Sequence, residues 1–227
     1  MSAGDIQQQF EEIGGKFYLP ADQLAEALQA VRVFLFDWDG VFNDGMKASG
    51  YGSPFGEADS MGLNLLRLSF WLKHGVMPGV GIITGATNEA AEYFTKRESL
   101  EYCVRGFTDK GQAFDELCER AGIVPEEVAF VFDDVLDLPV ANRAAVRLRV
   151  RRDNGPLFTQ YTEERNLCDY LTSAPGGQHA VRECCELMMG LCFDFAYAVD
   201  VRRTYGAQYQ DYLALRKGTQ TLVIAPE

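Results

Sequence analysis

Two histidines are all the chain has, and none of its six cysteines (Cys103, Cys118, Cys168, Cys184, Cys185, Cys192) forms a C-x-x-C pair. Clustered nitrogen and sulfur donors for a zinc centre are therefore lacking, and reduced thiols in a cytoplasm are the simpler reading. The opening stretch MSAGDIQQQFEEIGG carries no basic segment followed by an apolar one. Nor does any run approach the roughly 18 apolar residues of a membrane span. Secretion and membrane spanning are not expected. Positive charge is scarce too: 21 Lys and Arg against 33 Asp and Glu leave a net charge of −12. A field of that sign repels nucleic acid and anionic membranes, so neither is expected as a partner. There is no internal repeat and no low-complexity segment.

What is present is an ordinary globular composition, 227 residues with 47% hydrophobic and 24% charged, which suits one domain with extensions. Leu24, Leu28 and Val31 fall at helical spacing and lead into VRVFLF. Further β-like runs lie at 80–84, 128–132 and 145–150, alternating with helical patterns in MGLNLLRLSFWLKHG, NEAAEYFTKR and KGQAFDELCERAG. That alternation predicts an α/β fold, a Rossmann-like, mostly parallel sheet between helices, with ligands at the carboxyl ends of the strands. The expected organisation is a leader and helix over 1–30, a core over 31–190 and a C-terminal helical extension over 191–227. Residues 43–60, rich in glycine, read as a β-hairpin flap. Beyond the glycine pair at 176 and 177, AVRECCELMMGLCFDFAYAV reads as one long apolar helix that runs on through YGAQYQDYLALRKG and contacts another surface.

Chemistry gathers at the strand ends. The first strand ends in Asp37-Trp38-Asp39-Gly40, the second in Thr84-Gly85 and a later one in Asp133-Asp134 followed by Asp137, while Lys110 opens a helix. In a parallel sheet these converge on one edge. Alternation along a strand turns Asp37 and Asp39 into the crevice and Trp38 away from it. Several carboxylates together call for a cation, and their hard oxygens suit Mg²⁺. One ionised carboxylate can attack phosphorus while the other, with a raised pKa, protonates the leaving oxygen. Lys110 and Thr84 would hold the phosphoryl oxygens.

In this order the motifs resemble those of the haloacid dehalogenase-like hydrolase superfamily. DGVFNDG, IITG, GFTDKGQAF, FDDVLDLPV and GGQHAVRE are similar to its small cap-less phosphatases, which include enzymes of 3-deoxy-manno-octulosonate 8-phosphate and nonulosonate 9-phosphates. The resemblance covers about residues 31–190. It implies Asp37 as nucleophile through an aspartyl-phosphate, and Asp37, Asp39 (through its carbonyl) and Asp133 as Mg²⁺ ligands. Asp39 would be general acid and base, Thr84 and Lys110 would hold the phosphoryl group, and Asp134, Asp137 and Gly85 would support them. Thr84 lies 45 residues beyond Asp39 and Lys110 lies 26 beyond Thr84, gaps with no room for a separate lid. The resemblance then implies a homo-oligomer, a tetramer favoured, whose hairpins and tails close neighbouring sites. Phe55, Glu57, Asp59, Gly176, Gly177 and Arg182 become candidates for enclosing the substrate.

The chain departs from that pattern at Asn43, Ser60, Phe132, Ala86 and Gln178-His179. The last two sites lose arginines suited to a carboxylate, for which Arg97, Arg105 or Arg182 are possible substitutes. The expected activity is Mg²⁺-dependent phosphomonoester hydrolysis of a small phosphorylated sugar or 2-keto-3-deoxy sugar acid. The alternatives are a phosphatase of another small metabolite, or a catalytically degenerate assembly or binding subunit. His74 and His179 read as surface and tail residues, and Cys184-Cys185 as helix packing.

Overall fold

The apolar run VFLF has no polar face to show water, so it needs cover on both sides. The computed structural model, which describes residues 1–47 and 54–226, supplies that cover. Strand β2 (Val33–Phe36) is buried throughout. It lies between β3 (Gly79–Thr84) and β5 (Val128–Phe132), parallel to both, with Val33 opposite Gly79 and Val128. With β1 (Lys16–Phe17), β4 (Tyr102–Arg105), β6 (Val146–Arg151), β7 (Tyr170–Pro175) and β8 (Leu222–Ile224) the sheet order is β1-β7-β6-β5-β2-β3-β4-β8. The β1–β7 pair is antiparallel and all others are parallel.

Alternate residues of β2 feed two cores. Phe34 and Phe36 pack with α2 (Ala21–Leu28), α3 (Glu57–His74) and α8 (Ala180–Cys192), to which α1 (Ala3–Glu12) adds Ile6. Val33 and Leu35 pack on the opposite face with α5 (Lys110–Ala121) and α6 (Leu138–Ala141). The remaining helices are α4 (Glu89–Arg97), α7 (Pro156–Glu164), α9 (Phe195–Thr204) and α10 (Ala207–Gly218). Between Asp39 and Thr84 the described residues form a loop, α3 and β3; between Thr84 and Lys110 they form α4 and β4. No second domain is inserted among them. No helix among the described residues is long and apolar enough to cross a membrane.

Three local readings change. The polar leader holds a helix: Ser2 and Asp5 form a reciprocal capping box at the start of α1, its Ile6 is buried, and its Phe10 packs on the same core. Residues 48–53, the middle of the expected hairpin, lie outside the described residues, while 57–60 are the first turn of α3 rather than flap. The tail is not one helix but three, broken at Phe193-Asp194 and at Tyr205-Gly206. Asp194 caps α9 by accepting from the Tyr197 N–H at 2.9 Å, and Tyr205 takes a left-handed conformation. The tail packs on its own chain. Val201, Tyr209 and Tyr212 pack on Leu68 of α3, and β8 pairs in parallel with β4.

Candidate active site

Asp37 follows β2, Thr84 ends β3, Asp133 follows β5 and Lys110 begins α5. The parallel sheet brings them to one edge, where they line a cavity of about 660 Å³ together with Asp39, Gly85, Asp134 and Asp137. The sequence-predicted set of acids, hydroxyl and lysine is thus assembled in one place. Trp38 points the other way, fully buried and stacked on Phe42 with ring centroids 4.8 Å apart.

Lys110 Nζ lies 2.5 Å from Asp37 Oδ1 and 2.5 Å from Asp137 Oδ1. The second oxygen of Asp137 accepts from the backbone N–H groups of Asp133, at 3.4 Å, and Asp134, at 3.2 Å. Asp137 is thus occupied in holding the lysine and the turn after β5. Asp134 does not reach Lys110; it caps that turn, accepting from the Val135 N–H at 2.7 Å. Carboxylate oxygens of Asp37, Asp133 and Asp137 all lie within 4.8 Å of one another. With Asp137 committed, Asp37 and Asp133 are the pair placed to hold a cation.

Electrostatics point the same way. Burial, then repulsion from Asp137, pushes the pKa of Asp37 up to about 7 against the pull of Lys110. Burial, then Asp37 and Asp137, pushes Asp133 up to about 8 against Arg152. Burial works against the charged form of Lys110, but Asp37 and Asp137 more than offset it and hold its pKa above the usual value. Five carboxylates and three cations (Lys47, Lys110, Arg152) line the cavity, a formal excess of two negative charges. A divalent cation matches that excess, and an all-oxygen donor set with room for water suits Mg²⁺. The residues present therefore fit Mg²⁺ as cofactor.

The loop after Asp39 is fixed by two features. Asn43 is buried; its Oδ1 accepts from the N–H groups of Gly45 at 2.9 Å and Gly40 at 3.3 Å, and its Nδ2 donates to the Trp38 carbonyl at 3.2 Å. The asparagine thereby closes the loop on itself. The glycine pair presses on the same loop: a Cβ on Gly176 would sit 2.1 Å from the Gly40 carbonyl oxygen. Gly176 and Gly177 line, with Phe55 and Asn43, a separate cavity of about 380 Å³ beside the loop and not the one holding Asp37.

The other enclosing candidates also lie off the main cavity. Glu57 pairs with Arg97 at 3.0 Å. Asp59, almost wholly buried, accepts from the Arg182 N–H at 3.0 Å and lies 3.5 Å from His179. Arg182 pairs with Glu186 at 2.6 Å and Arg105 with Glu92 at 2.8 Å. None of Arg97, Arg105 and Arg182 lines the cavity beside Ala86. Two cations not singled out in the sequence do. Arg152, the residue after β6, lies 2.5 Å from Asp133, and Lys47 lies 3.2 Å from Asp39. Position gave the signal for Arg152, since it follows its strand as Asp133 follows β5.

The six cysteines are free, Cys184 and Cys185 are buried in the core, and His74 packs on Phe70 at 4.4 Å.

No protein-family model matches the chain. The 3-deoxy-D-manno-octulosonate 8-phosphate phosphatase KdsC of Escherichia coli K12 is 31% identical over 173 residues, covering 74% of this chain and 84% of that protein. A solved structure of 3-deoxy-D-manno-octulosonate 8-phosphate phosphatase from Moraxella catarrhalis, in complex with magnesium ion, phosphate ion and KDO, superposes with a TM-score of 0.64. It is 27% identical, over 79% of this chain and 98% of that one. A Legionella pneumophila protein described as a HAD superfamily (subfamily III A) hydrolase gives a TM-score of 0.66 at 25% identity, over 84% and 95% of the two chains. With this fold, this arrangement of acids and lysine, and relatives matched along most of both lengths, the chain belongs to the KdsC-like phosphatases of the haloacid dehalogenase-like superfamily and is a phosphoric monoester hydrolase.

Proposed function

We propose that the chain hydrolyses a small phosphorylated sugar or 2-keto-3-deoxy sugar acid through an aspartyl-phosphate on Asp37. The observation that carries this reading is the Asp37–Lys110–Asp137 chain of 2.5 Å contacts beside Asp133 at the sheet's carboxyl edge. Asp37 attacks phosphorus, the P–O bond to the sugar breaks, and Asp39 delivers a proton to the departing oxygen. Asp39 then takes a proton from water, which attacks the same phosphorus and regenerates Asp37. Thr84 and Lys110 hold the equatorial phosphoryl oxygens as charge builds on them. Asp37, Asp133 and the Asp39 carbonyl would hold Mg²⁺, which would supply positive charge beside the phosphoryl group. Asp137 keeps Lys110 aimed.

The sugar-acid reading draws on the relatives' names and on Arg152 and Lys47, which bring cations to a cavity where Ala86 has none. An open cavity without a lid suits a homo-oligomer, a tetramer favoured, whose neighbouring subunits narrow access. Free thiols and the acidic surface suit a cytoplasmic enzyme.

The test is hydrolysis of a generic aryl phosphate with and without Mg²⁺, by wild type and Asp37→Asn. Mg²⁺-dependent turnover that the substitution abolishes is expected, and turnover surviving it would overturn the mechanism. A panel of phosphosugars and 2-keto-3-deoxy acid phosphates then ranks substrates by kcat/KM.

A further inference from the structure

Alternation along β6 puts Val146, Leu148 and Val150 into one core and Arg147, Arg149 and Arg151 on the opposite face. Their charges are not equally compensated. Arg147 forms a two-point pair with the buried Asp169, at 3.1 Å from Nε and 2.6 Å from Nη2. Arg151 donates to the carbonyls of Thr172 and Gly14, at 2.9 and 2.8 Å, and its nearest acid is the exposed Asp153 at 3.8 Å.

Arg149 is different. It is only 3% exposed, stacks over Phe158 at 5.3 Å and donates one hydrogen bond, from Nη2 to Thr159 Oγ1 at 2.8 Å. Its Nε has no acceptor among the described residues. No carboxylate among the described residues lies within 4.0 Å of it. Glu163, on the same side, is taken by Lys16 at 3.0 Å and by the Tyr18 hydroxyl. Beyond those Tyr18 and Lys16 hydrogen bonds, Glu163 lies near enough for the charge of Arg149 to help lower its pKa, yet it makes no hydrogen bond to the guanidinium; a buried guanidinium left short of acceptors is costly.

A cavity lies beside it. Arg149, Arg151 and Arg152 line a cavity of about 290 Å³ with Thr159 and Gln160 along one face of α7, and the three guanidiniums there outnumber two acids, Asp153 and Glu163. We propose that this cavity is a second anion site, which takes a small oxyanion such as phosphate or sulfate as counter-ion to Arg149. It is separate from the phosphoryl site at Asp37 but shares a wall with it, because Arg152 lines both cavities.

The test uses the full chain and two measurements. Thermal unfolding is followed in sulfate and in chloride at matched ionic strength, for wild type, Arg149→Met and Gln160→Glu, the last of which brings a carboxylate to the cavity. Wild type should show a saturable rise in Tm with sulfate, and both variants should lose it while keeping turnover of an aryl phosphate. Should Arg149→Met fail to fold, Gln160→Glu carries the comparison. Crystals soaked in selenate should show an anomalous peak within hydrogen-bond distance of Arg149. An equal sulfate response in wild type and variants, or selenate bound only beside Lys110, would overturn the proposal. Because turnover is read in the same variants, that failure is distinguishable from failure of the phosphatase reading.

Discussion

Substituting Gly176 by alanine tests whether the glycine pair positions the acid loop rather than enclosing substrate. The new Cβ would lie 2.1 Å from the carbonyl oxygen of Gly40 and 2.5 Å from that of Asn43. Both contacts are to backbone, so no side chain can swing aside. Relieving them to ordinary van der Waals separation requires β7 and the 40–43 loop to part by about 1 Å. Overpacking of this kind costs roughly 2–4 kcal/mol in a well-packed region. For a chain of this size that corresponds to a fall in Tm of roughly 5–15 °C. The loop that moves carries Asp39 at its root, and a displacement of about 1 Å in a reacting group can cost on the order of 10²-fold in rate. Gly218→Ala is the control, since a Cβ there meets nothing within 4 Å. The assay is Tm by circular dichroism and kcat on an aryl phosphate, run for both variants. Gly176→Ala with unchanged Tm and kcat would refute the reasoning; a raised KM at constant kcat and Tm would return the glycine to the role of substrate enclosure.

Mg²⁺ should bind more tightly as pH rises. Burial and repulsion among the carboxylates raise Asp37 to about 7 and Asp133 to about 8, and a cation binds their ionised forms, so between pH 6 and 8 affinity should rise by roughly two to three orders of magnitude with proton release. The same raised pKa values mean that metal-free stability falls as pH climbs from about 4, the unfolded value, towards 8. Calorimetry in buffers of different ionisation enthalpy reads both protons and affinity, and a pH-independent affinity would contradict the charge reading. Removing the chain from Asp194 onward should lower Tm or leave the protein insoluble, because β8 is stripped from β4 and Glu98 loses Arg216 at 2.6 Å. A truncated chain with wild-type Tm would show the tail to be dispensable for the fold.

How much of this was legible in sequence depended on how local the signal was. Asp37, Thr84 and Asp133 could be placed because a fully apolar strand ends where its chemistry begins, and the parallel sheet then does the gathering. Lys110 was legible through its position at a helix start, with Asp109 capping α5 by accepting from the Gly111 N–H at 2.8 Å. Asn43 looked like a departure, but three hydrogen bonds across non-adjacent residues give it its place, and such closure depends on the fold of the turn. Gly176 and Gly177 were read by analogy of motif, and the fold adds a close backbone approach between segments more than 130 residues apart in the chain, which no local pattern reveals. The short strands β1 and β8 lack a periodicity of their own and exist because β7 and β4 offer unpaired edges. The tail periodicity ran through both breaks, since Asp194 and Tyr205 interrupt the helix by capping and backbone conformation without interrupting the apolar pattern.

The two tryptophans divide the molecule between them. Trp38 separates the two acids of the first motif, is shut from water, leaves its indole N–H without a partner among the described residues, and meets Phe55 edge-on at 6.0 Å. Trp71 sits on the outer side of α3 against Tyr212 of the tail, at 5.8 Å. The protein thus carries an optical label at each of its two least ordinary regions. Emission from Trp38 in wild type should be blue-shifted and sensitive to whatever rearranges the loop beside Asp39. With Trp38→Phe, the remaining signal reports the docking of the tail, so loop motion and tail release can be timed separately without attaching a dye.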